Sequence, residues 1–120
     1  MTEALETVLR NARAKIADPA RWCRWHRDRF AVDAQGQGVE SWSRAAVAWT
    51  PYGAVNAVTS AAGGITRQAR AALDREARDL GFTQAEDLSL KTDHCTVMTM
   101  FDGAIAAAME MEANARREEA

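Results

Sequence analysis

Alanine is the most abundant residue in this chain, and its abundance restricts the folds that the sequence can adopt. There are 26 alanines, whereas leucine, isoleucine and valine together number 16. Alanine favours helix and lets helices pack closely, but each buried alanine contributes little transfer free energy. Strand-forming residues are sparse, which argues against an all-β fold. The composition therefore predicts a helical protein in which tryptophan, phenylalanine, tyrosine and methionine fill much of the core.

Length and charge limit the domain organisation and the partners. The 120 residues fit a single domain, residues 1–120, and the formal charge of −2 lacks the strong basic excess of dedicated nucleic-acid-binding proteins. No stretch reaches the roughly 18 consecutive apolar residues that a membrane-spanning helix needs. The sequence therefore predicts one domain that has neither a membrane nor a nucleic acid as its main partner.

The start of the chain and the cysteines bear on the cellular compartment. Glu3 and Glu6 lie within the first ten residues, which contain no basic segment followed by an apolar run. We therefore expect a cytoplasmic protein in which Cys23 and Cys95 are reduced thiols, with a single disulfide between them as the alternative.

Hydrophobic spacing and capping residues predict an all-α bundle of about five helices. The expected segments are residues 3–17, a helix after Asp18-Pro19 that carries Trp22 to His26, residues 44–59, a helix capped by Thr66 and stopped by Gly81, a short helix with a Thr83–Glu86 capping box, and a last helix capped by Thr92 or Asp93. Pro51 either kinks the third segment or starts a new helix capped by Thr50. The polar tail, residues 114–120, is expected to fray.

Two glycines interrupt the helical pattern around residues 30–40. Gly36 and Gly38 supply the backbone freedom that a tight reversal needs, so this segment is expected to form an irregular, hairpin-like loop with two very short strands. Elsewhere we expect three large aromatic side chains in the core, those of Trp22, Trp49 and Phe101. We expect Gly53 to lie at a close helix crossing.

Arginines alternate with aromatic residues between positions 21 and 30. Nucleic-acid-binding proteins use such surfaces to stack bases and neutralise phosphates, here through Arg21, Arg24, Arg27 and Arg29. The alternatives are a protein contact, since aromatic residues and arginine often anchor interfaces, and a structural role with the tryptophans facing inward. The structural role is favoured, and the candidate binding residues of this segment are Trp22, Arg24 and Trp25.

Cysteine and histidine occur in two pairs, Cys23-x-x-His26 and His94-Cys95. Four such ligands match tetrahedral zinc, but adjacent residues on a helix project about 100° apart, so the second pair suits one ion poorly. We therefore expect neither a metal nor a cofactor. If a metal were bound, the candidate ligands would be Cys23, His26, His94 and Cys95. A thiol–imidazole site beside Asp93 is the alternative, because His94 and Cys95 lie near a helix N-terminus, which stabilises a thiolate.

The last helix carries methionines beside its inner stripe. The inner stripe is Val97, Phe101, Ile105 and Ala108, and the methionines are Met98, Met100, Met109 and Met111. A helix that is apolar on more than one face either is central in a bundle or exposes a contact patch.

Several short motifs follow one another along the chain: Ile16-Ala17-Asp18-Pro19, Arg21-Trp22-Cys23, Asp33 with Gly36, Ala46-Val47 with Trp49 and Gly53-Ala54, and His94 with Val97, Phe101-Asp102 and Ala104-Ile105. In these motifs the chain resembles a family of short, uncharacterised bacterial and phage-associated proteins, a domain of unknown function. The resemblance covers nearly the whole chain and implies a compact helical domain without naming an activity. The chain departs from the family at Thr50, where the family has a second cysteine, and at Asp93, where it has threonine. The missing cysteine argues against chemistry that uses two thiols.

The sequence contains no complete set of catalytic residues, and several apolar residues lie off the core stripes. We therefore predict a non-enzymatic interaction or accessory module that presents a helical surface, including Trp25 and Met109, to a protein partner or to its own copy. The alternatives are a small enzyme or ligand-binding domain with its site near Cys23, Asp93 and His94, and a nucleic-acid binder through residues 21–30.

Overall fold

The computed structural model describes residues 4–24, 29–59 and 63–119, and these form five α-helices with a small sheet. The helices are α1 (Leu5–Lys15), α2 (Pro51–Thr59), α3 (Gly63–Asp79), α4 (Ala85–Lys91) and α5 (His94–Glu119). A 3-10 turn, Pro19–Arg21, follows α1. The sheet consists of three two-residue strands, β1 (Ala31–Val32), β2 (Gly38–Val39) and β3 (Ala48–Trp49). The predicted helical fold with about five helices is confirmed, but the sheet means that the fold is not purely all-α.

The sheet is antiparallel in the order β2-β1-β3, with the registers Ala31–Val39 and Ala31–Trp49. Asp33 holds the turn between β1 and β2, because its Oδ1 atom accepts hydrogen bonds from the N–H groups of Gln35 and Gln37, each at 2.9 Å. Gly36 has a φ of +78°, a conformation that favours glycine. The hairpin-like loop predicted around residues 30–40 is confirmed.

In the described part of the segment after α1, residues 22–24 are not helical, and Trp22 is extended. The carboxylate of Asp18 accepts a backbone hydrogen bond at 2.9 Å and caps only the short 3-10 turn. The Cys23 N–H then donates to the Trp49 carbonyl at 3.0 Å, within a parallel bridge between Trp22 and Trp49. Pairing with a distant strand therefore replaces the predicted helix here. Two residues of the predicted helix, Trp25 and His26, lie outside the described residues, and so does Arg27 of the arginine-rich segment.

Pro51 begins α2, which decides between the two alternatives for this part of the chain. The Thr50 N–H donates to the Phe30 carbonyl at 2.9 Å, so the chain before Pro51 pairs with the sheet instead of forming a helix. The Thr50 hydroxyl accepts from the Gly53 N–H at 3.0 Å and caps α2, while Pro51 occupies the first turn, where no N–H is needed. The predicted helix over residues 44–50 is wrong, and the alternative of a new helix is confirmed.

Gly53 packs against backbone atoms rather than against a second helix. A Cβ atom built on Gly53 would lie 1.9 Å from the carbonyl oxygen of Phe30. The chain does approach closely at this glycine, but the contact joins α2 to the segment that precedes β1, so the predicted helix crossing is wrong.

Two predicted helix-end signals are confirmed. Gly81 follows α3 and has a φ of +96°, as expected for a glycine that ends a helix. The Asp93 carboxylate accepts from the Thr96 N–H at 2.9 Å and caps α5. The polar tail, for which fraying is expected, continues α5 as far as Glu119.

Two other predicted caps are wrong. Helix α3 begins before Thr66, whose hydroxyl donates to that of Thr59 at 2.8 Å and so joins α3 to α2. The Thr83 N–H donates to Asp87 at 3.1 Å, because Glu86, the expected partner, turns into the protein interior.

The core lies between α1, α2, α3 and α5. The predicted inner stripe of α5, which includes Phe101, is buried, and so is Trp49. Trp22 is half-buried at the edge of the core. Of the methionines of α5, Met98 and Met100 are buried in the core, whereas Met109 and Met111 are exposed. Among the residues that the structure describes, no helix combines the length and hydropathy of a membrane-spanning segment.

Candidate functional site

Three of the predicted binding residues meet at the junction of α4 and α5. The ring centroids of Trp22 and His94 are 5.7 Å apart, and the guanidinium carbon of Arg24 lies 4.8 Å from the Trp22 ring centroid. Arg24 also donates hydrogen bonds to the carbonyls of Leu90 and Thr92, at 3.2 and 2.7 Å. The carbonyls at a helix end lack partners within the helix, so the Arg24 guanidinium stabilises the end of α4.

The other polar groups of this junction also bind within the fold. The Nε2 atom of His94 lies 2.7 Å from the carbonyl oxygen of Ile16, and the Trp22 indole N–H donates to a serine hydroxyl of α4 at 3.0 Å. Asp93 accepts hydrogen bonds from the first turn of α5, and these lower the pKa of its carboxyl. The residues predicted as a ligand site therefore form a packed junction that joins α1, α4 and α5.

The remaining predicted residues lie elsewhere. Met109 is further along α5, where its sulfur accepts a hydrogen bond from Arg10 at 3.3 Å. Cys95 is exposed, and Trp25 and His26 lie outside the described residues. Within residues 4–24, 29–59 and 63–119, no three His, Cys, Asp or Glu side chains are close enough to hold a metal ion.

Burial makes Cys23 a poor nucleophile. Burial, together with the nearby charge of Glu86, raises the pKa of the Cys23 thiol to about 12. Because the thiolate is the reactive form, the reactive fraction of Cys23 at pH 8 is on the order of a thousandth of that of an ordinary thiol.

We expect iodoacetamide at pH 8 to label the exposed Cys95 in the native chain, whereas the half-buried Cys23 should react appreciably only after unfolding, because its thiol stays protonated in the folded protein. Mass spectrometry of the intact protein counts the labels. The Cys95→Ser variant is the control, since it should stay unlabelled while folded. Rapid labelling of Cys23 in that folded variant would contradict the assignment and favour the thiol-based enzyme that the sequence leaves open.

A separate cleft opens between α2, α3 and α4, with a volume of about 410 Å³. Aromatic, apolar and charged side chains line it, among them Phe30, Tyr52, Arg70, Glu86, Asp87 and Leu90. We call it the Tyr52 cleft. Its volume lies within the range of sites that bind small molecules.

Glu86 places a buried carboxyl group in the Tyr52 cleft. Only 6% of the residue is exposed, and its Oε1 atom accepts a hydrogen bond from the Tyr52 N–H at 2.9 Å. This N–H belongs to the first turn of α2, which has no intrahelical partner for it, so Glu86 caps α2 from α4. The Oε2 atom is buried and has no hydrogen-bond partner among the described residues. Burial outweighs the contacts that favour the charged form, namely the Tyr52 N–H, the Thr50 hydroxyl and Arg70, and raises the pKa of Glu86 to about 7.

Tyr52 and Arg70 form one wall of the cleft. The Tyr52 hydroxyl donates to Asp74 Oδ1 at 2.5 Å, and the same oxygen accepts from the Ala85 N–H at 2.9 Å. The guanidinium carbon of Arg70 lies 4.1 Å from the ring centroid of Tyr52 and 5.8 Å from that of Phe30. Burial, followed by the contact with Asp74, raises the pKa of Tyr52, so its hydroxyl stays protonated and keeps donating.

Sequence reasoning missed the Tyr52 cleft. The spacing of Thr83 and Glu86 predicts a capping box at the surface, but Asp87 takes that role and leaves Glu86 to face inward. Tyr52, which binds Glu86, lies 34 residues earlier in the chain, so no local pattern connects the two. The signal that the sequence does contain is an acidic residue close to Leu88 in a short amphipathic helix, which does not by itself indicate burial.

The chain matches no protein-family model, no curated protein and no solved structure. The resemblance to a domain of unknown function therefore stays a prediction that depends on the motifs in the sequence. The assignment of a function depends on the geometry of the Tyr52 cleft.

Proposed function

We propose that this protein is a non-enzymatic binding module and that the Tyr52 cleft receives a chemical group of its ligand. The observation that carries the proposal is the Oε2 atom of Glu86, which is buried without a partner. A buried polar atom without a hydrogen bond costs about 1–3 kcal/mol, and more when it is charged. Glu86 lines the cleft, so a ligand group that hydrogen-bonds to Oε2 after a small rotation of the carboxyl group would remove this cost.

The other walls of the cleft suit a small ligand group. The rings of Phe30 and Tyr52 and the side chain of Leu90 supply apolar area, while Arg70 and Glu86 supply oriented polar groups. Ligand sites usually combine apolar walls with a few convergent polar groups. A volume of about 410 Å³ admits either a free small molecule or one side chain of a partner protein. The protein partner or second copy predicted from the sequence is therefore one source of this group.

The reactive groups near the cleft favour binding over catalysis. Burial keeps the Cys23 thiol protonated at neutral pH, and the Tyr52 hydroxyl is bound to Asp74. His94, the predicted base of a thiol site, is bound to the Ile16 carbonyl at the α4–α5 junction. These contacts support a binding role more directly than nucleophilic catalysis.

Leu90→Ala should weaken the binding of a small aromatic probe about three- to tenfold, because the Leu90 side chain supplies part of the apolar wall. Leu80→Ala is the matched control. Both leucines are about equally exposed, at 46% and 44%, but Leu90 lines the cleft whereas Leu80 follows the end of α3. Benzamide, benzamidinium and benzoate are suitable probes, and NMR titration of the full chain gives both their affinities and the residues whose signals shift.

Signals that shift at the cleft, together with an effect of Leu90→Ala that Leu80→Ala does not share, would support the proposal. If none of the three probes shifts these signals at millimolar concentration, the proposed binding function is wrong.

A further inference from the structure

We infer that the group received by the Tyr52 cleft is a cationic nitrogen group, such as an amidinium, guanidinium or ammonium, and that Glu86 is its carboxylate partner. This inference rests on the proposed binding function and names the chemical class of the ligand. Three features support it: the charges around the cleft, its aromatic walls and the unpartnered oxygen of Glu86.

The charged groups around Glu86 leave one negative charge uncompensated when Glu86 is ionised. On its own helix, Asp87 is paired with Lys91 at 2.7 Å. From α3, Asp74 and Arg70 act on Glu86 with opposite charges. The other titratable neighbours stay neutral, namely the hydroxyl of Tyr52 on α2 and the thiol of Cys23 in the extended segment after α1. A ligand with one positive charge therefore makes the site neutral, whereas an anion increases the negative excess.

The aromatic walls also favour a cation. Ring faces attract cations within about 6 Å of the ring centroid. The Arg70 guanidinium lies within this distance of both Tyr52 and Phe30, so these rings already hold one planar cation and a ligand cation would use the ring area that Arg70 leaves free. The Oε2 atom of ionised Glu86 is an acceptor, and a nitrogen-bound hydrogen on a cation gives it a charge-assisted hydrogen bond.

An anionic ligand group is the main competitor, because Arg70 lines the same cleft. Such a group would approach Arg70 in the presence of Asp74 and the ionised Glu86, and like charges repel. The charges of Asp74 and Arg70 cancel in the net charge of the cleft, so the cleft as a whole is negative when Glu86 is ionised and favours a cation.

A cationic ligand requires the ionised form of Glu86, so its affinity depends on pH. Because the pKa of Glu86 in the empty protein is about 7, the ionised fraction falls from about nine-tenths at pH 8 to about one-tenth at pH 6. The affinity of a permanently cationic probe should therefore fall about tenfold between pH 8 and pH 6.

Benzamidinium, benzamide and benzoate are matched probes, since each joins a phenyl ring to a planar head group and their charges are positive, zero and negative. Titration of the full chain at pH 8 should give the tightest binding for benzamidinium, at least tenfold tighter than for benzamide. Glu86→Gln should lower the benzamidinium affinity at pH 8 at least tenfold and remove its pH dependence. Glu110→Gln, at an exposed position of α5, should change neither quantity.

Tighter or equal binding of benzamide or benzoate would overturn the inference while leaving the binding function intact, and so would benzamidinium binding that Glu86→Gln does not weaken. Absence of binding by all three probes would instead overturn the proposed function itself. A second arm compares methylguanidinium with an end-blocked Gly-Arg-Gly peptide. Tighter binding of the peptide supports a side chain of a partner protein as the source, and tighter binding of methylguanidinium supports a free small molecule. Failure of both to bind contradicts the cationic class.

Discussion

Gly53→Ala is expected to lower the free energy of unfolding by about 3 kcal/mol or more, or to prevent folding. The added Cβ atom would lie 1.9 Å from the carbonyl oxygen of Phe30 and 2.9 Å from its carbonyl carbon. These atoms are held in place, because the same oxygen accepts the Thr50 N–H at 2.9 Å. The new methyl group therefore forces α2 away from the segment that precedes β1.

Gly64→Ala is the matched control, since a Cβ atom at Gly64 meets no atom within 4 Å. Both glycines lie in helices, where alanine is favoured over glycine by about 0.5–1 kcal/mol, so this variant should be neutral or slightly stabilised. Urea unfolding followed by circular dichroism measures both variants. A Gly53→Ala protein within about 1 kcal/mol of wild type would show that α2 and Phe30 are not in such close contact.

Glu86→Gln is expected to gain stability relative to wild type as the pH rises, by about 3 kcal/mol between pH 4.5 and pH 8. The Glu86 carboxyl has a pKa of 4.5 in the unfolded chain and about 7 in the folded protein, where burial disfavours its charge. Between these values the folded protein keeps a proton that the unfolded chain has released, so raising the pH favours unfolding. The contribution of Glu86 to stability is therefore complete below pH 4.5 and is lost as the pH rises through about 7. Glutamine is neutral throughout and loses nothing.

Urea unfolding at several pH values between 4.5 and 8 measures this difference. Glu110→Gln removes one negative charge from an exposed position, so its curve should run parallel to that of wild type. Asp87 and Asp93 do not disturb this range. Hydrogen bonds, chiefly from Lys91 to Asp87 and from Thr96 to Asp93, lower their pKa values from the usual 3.8, so their contributions are lost only at lower pH. A Glu86→Gln curve parallel to that of wild type would contradict the burial of a charge at this position.

Patterns confined to one helix or one turn were predicted well from the sequence. Val97, Phe101 and Ile105 recur at intervals of four, which places them on one side of a helix, and all three are buried. Asp93 caps its helix through a hydrogen bond to a residue three positions later, and Gly81 ends another through its own backbone conformation. In each case the cause of the structure lies within a few residues of its signal.

Contacts between distant parts of the chain were not predictable in the same way. Trp22 has the spacing of a helical residue, yet its extended conformation depends on pairing with Trp49. Glu86 follows a threonine at capping-box spacing, yet it faces inward because the Tyr52 N–H needs an acceptor. The sequence therefore indicated a ligand site at the α4–α5 junction, whereas the Tyr52 cleft appears only once α2, α3 and α4 are assembled.

The strands of the sheet have two residues each, and a hairpin of that size is not stable on its own. It keeps its conformation because the carbonyl of Phe30 binds Thr50 and contacts Gly53 at the start of α2. Undocking of α2 would therefore release the hairpin as well, so that the two unfold locally as one cooperative unit. Phe30 and Tyr52 face the same cleft from these two elements, and a single local opening event thus dismantles both aromatic walls of the cleft at once.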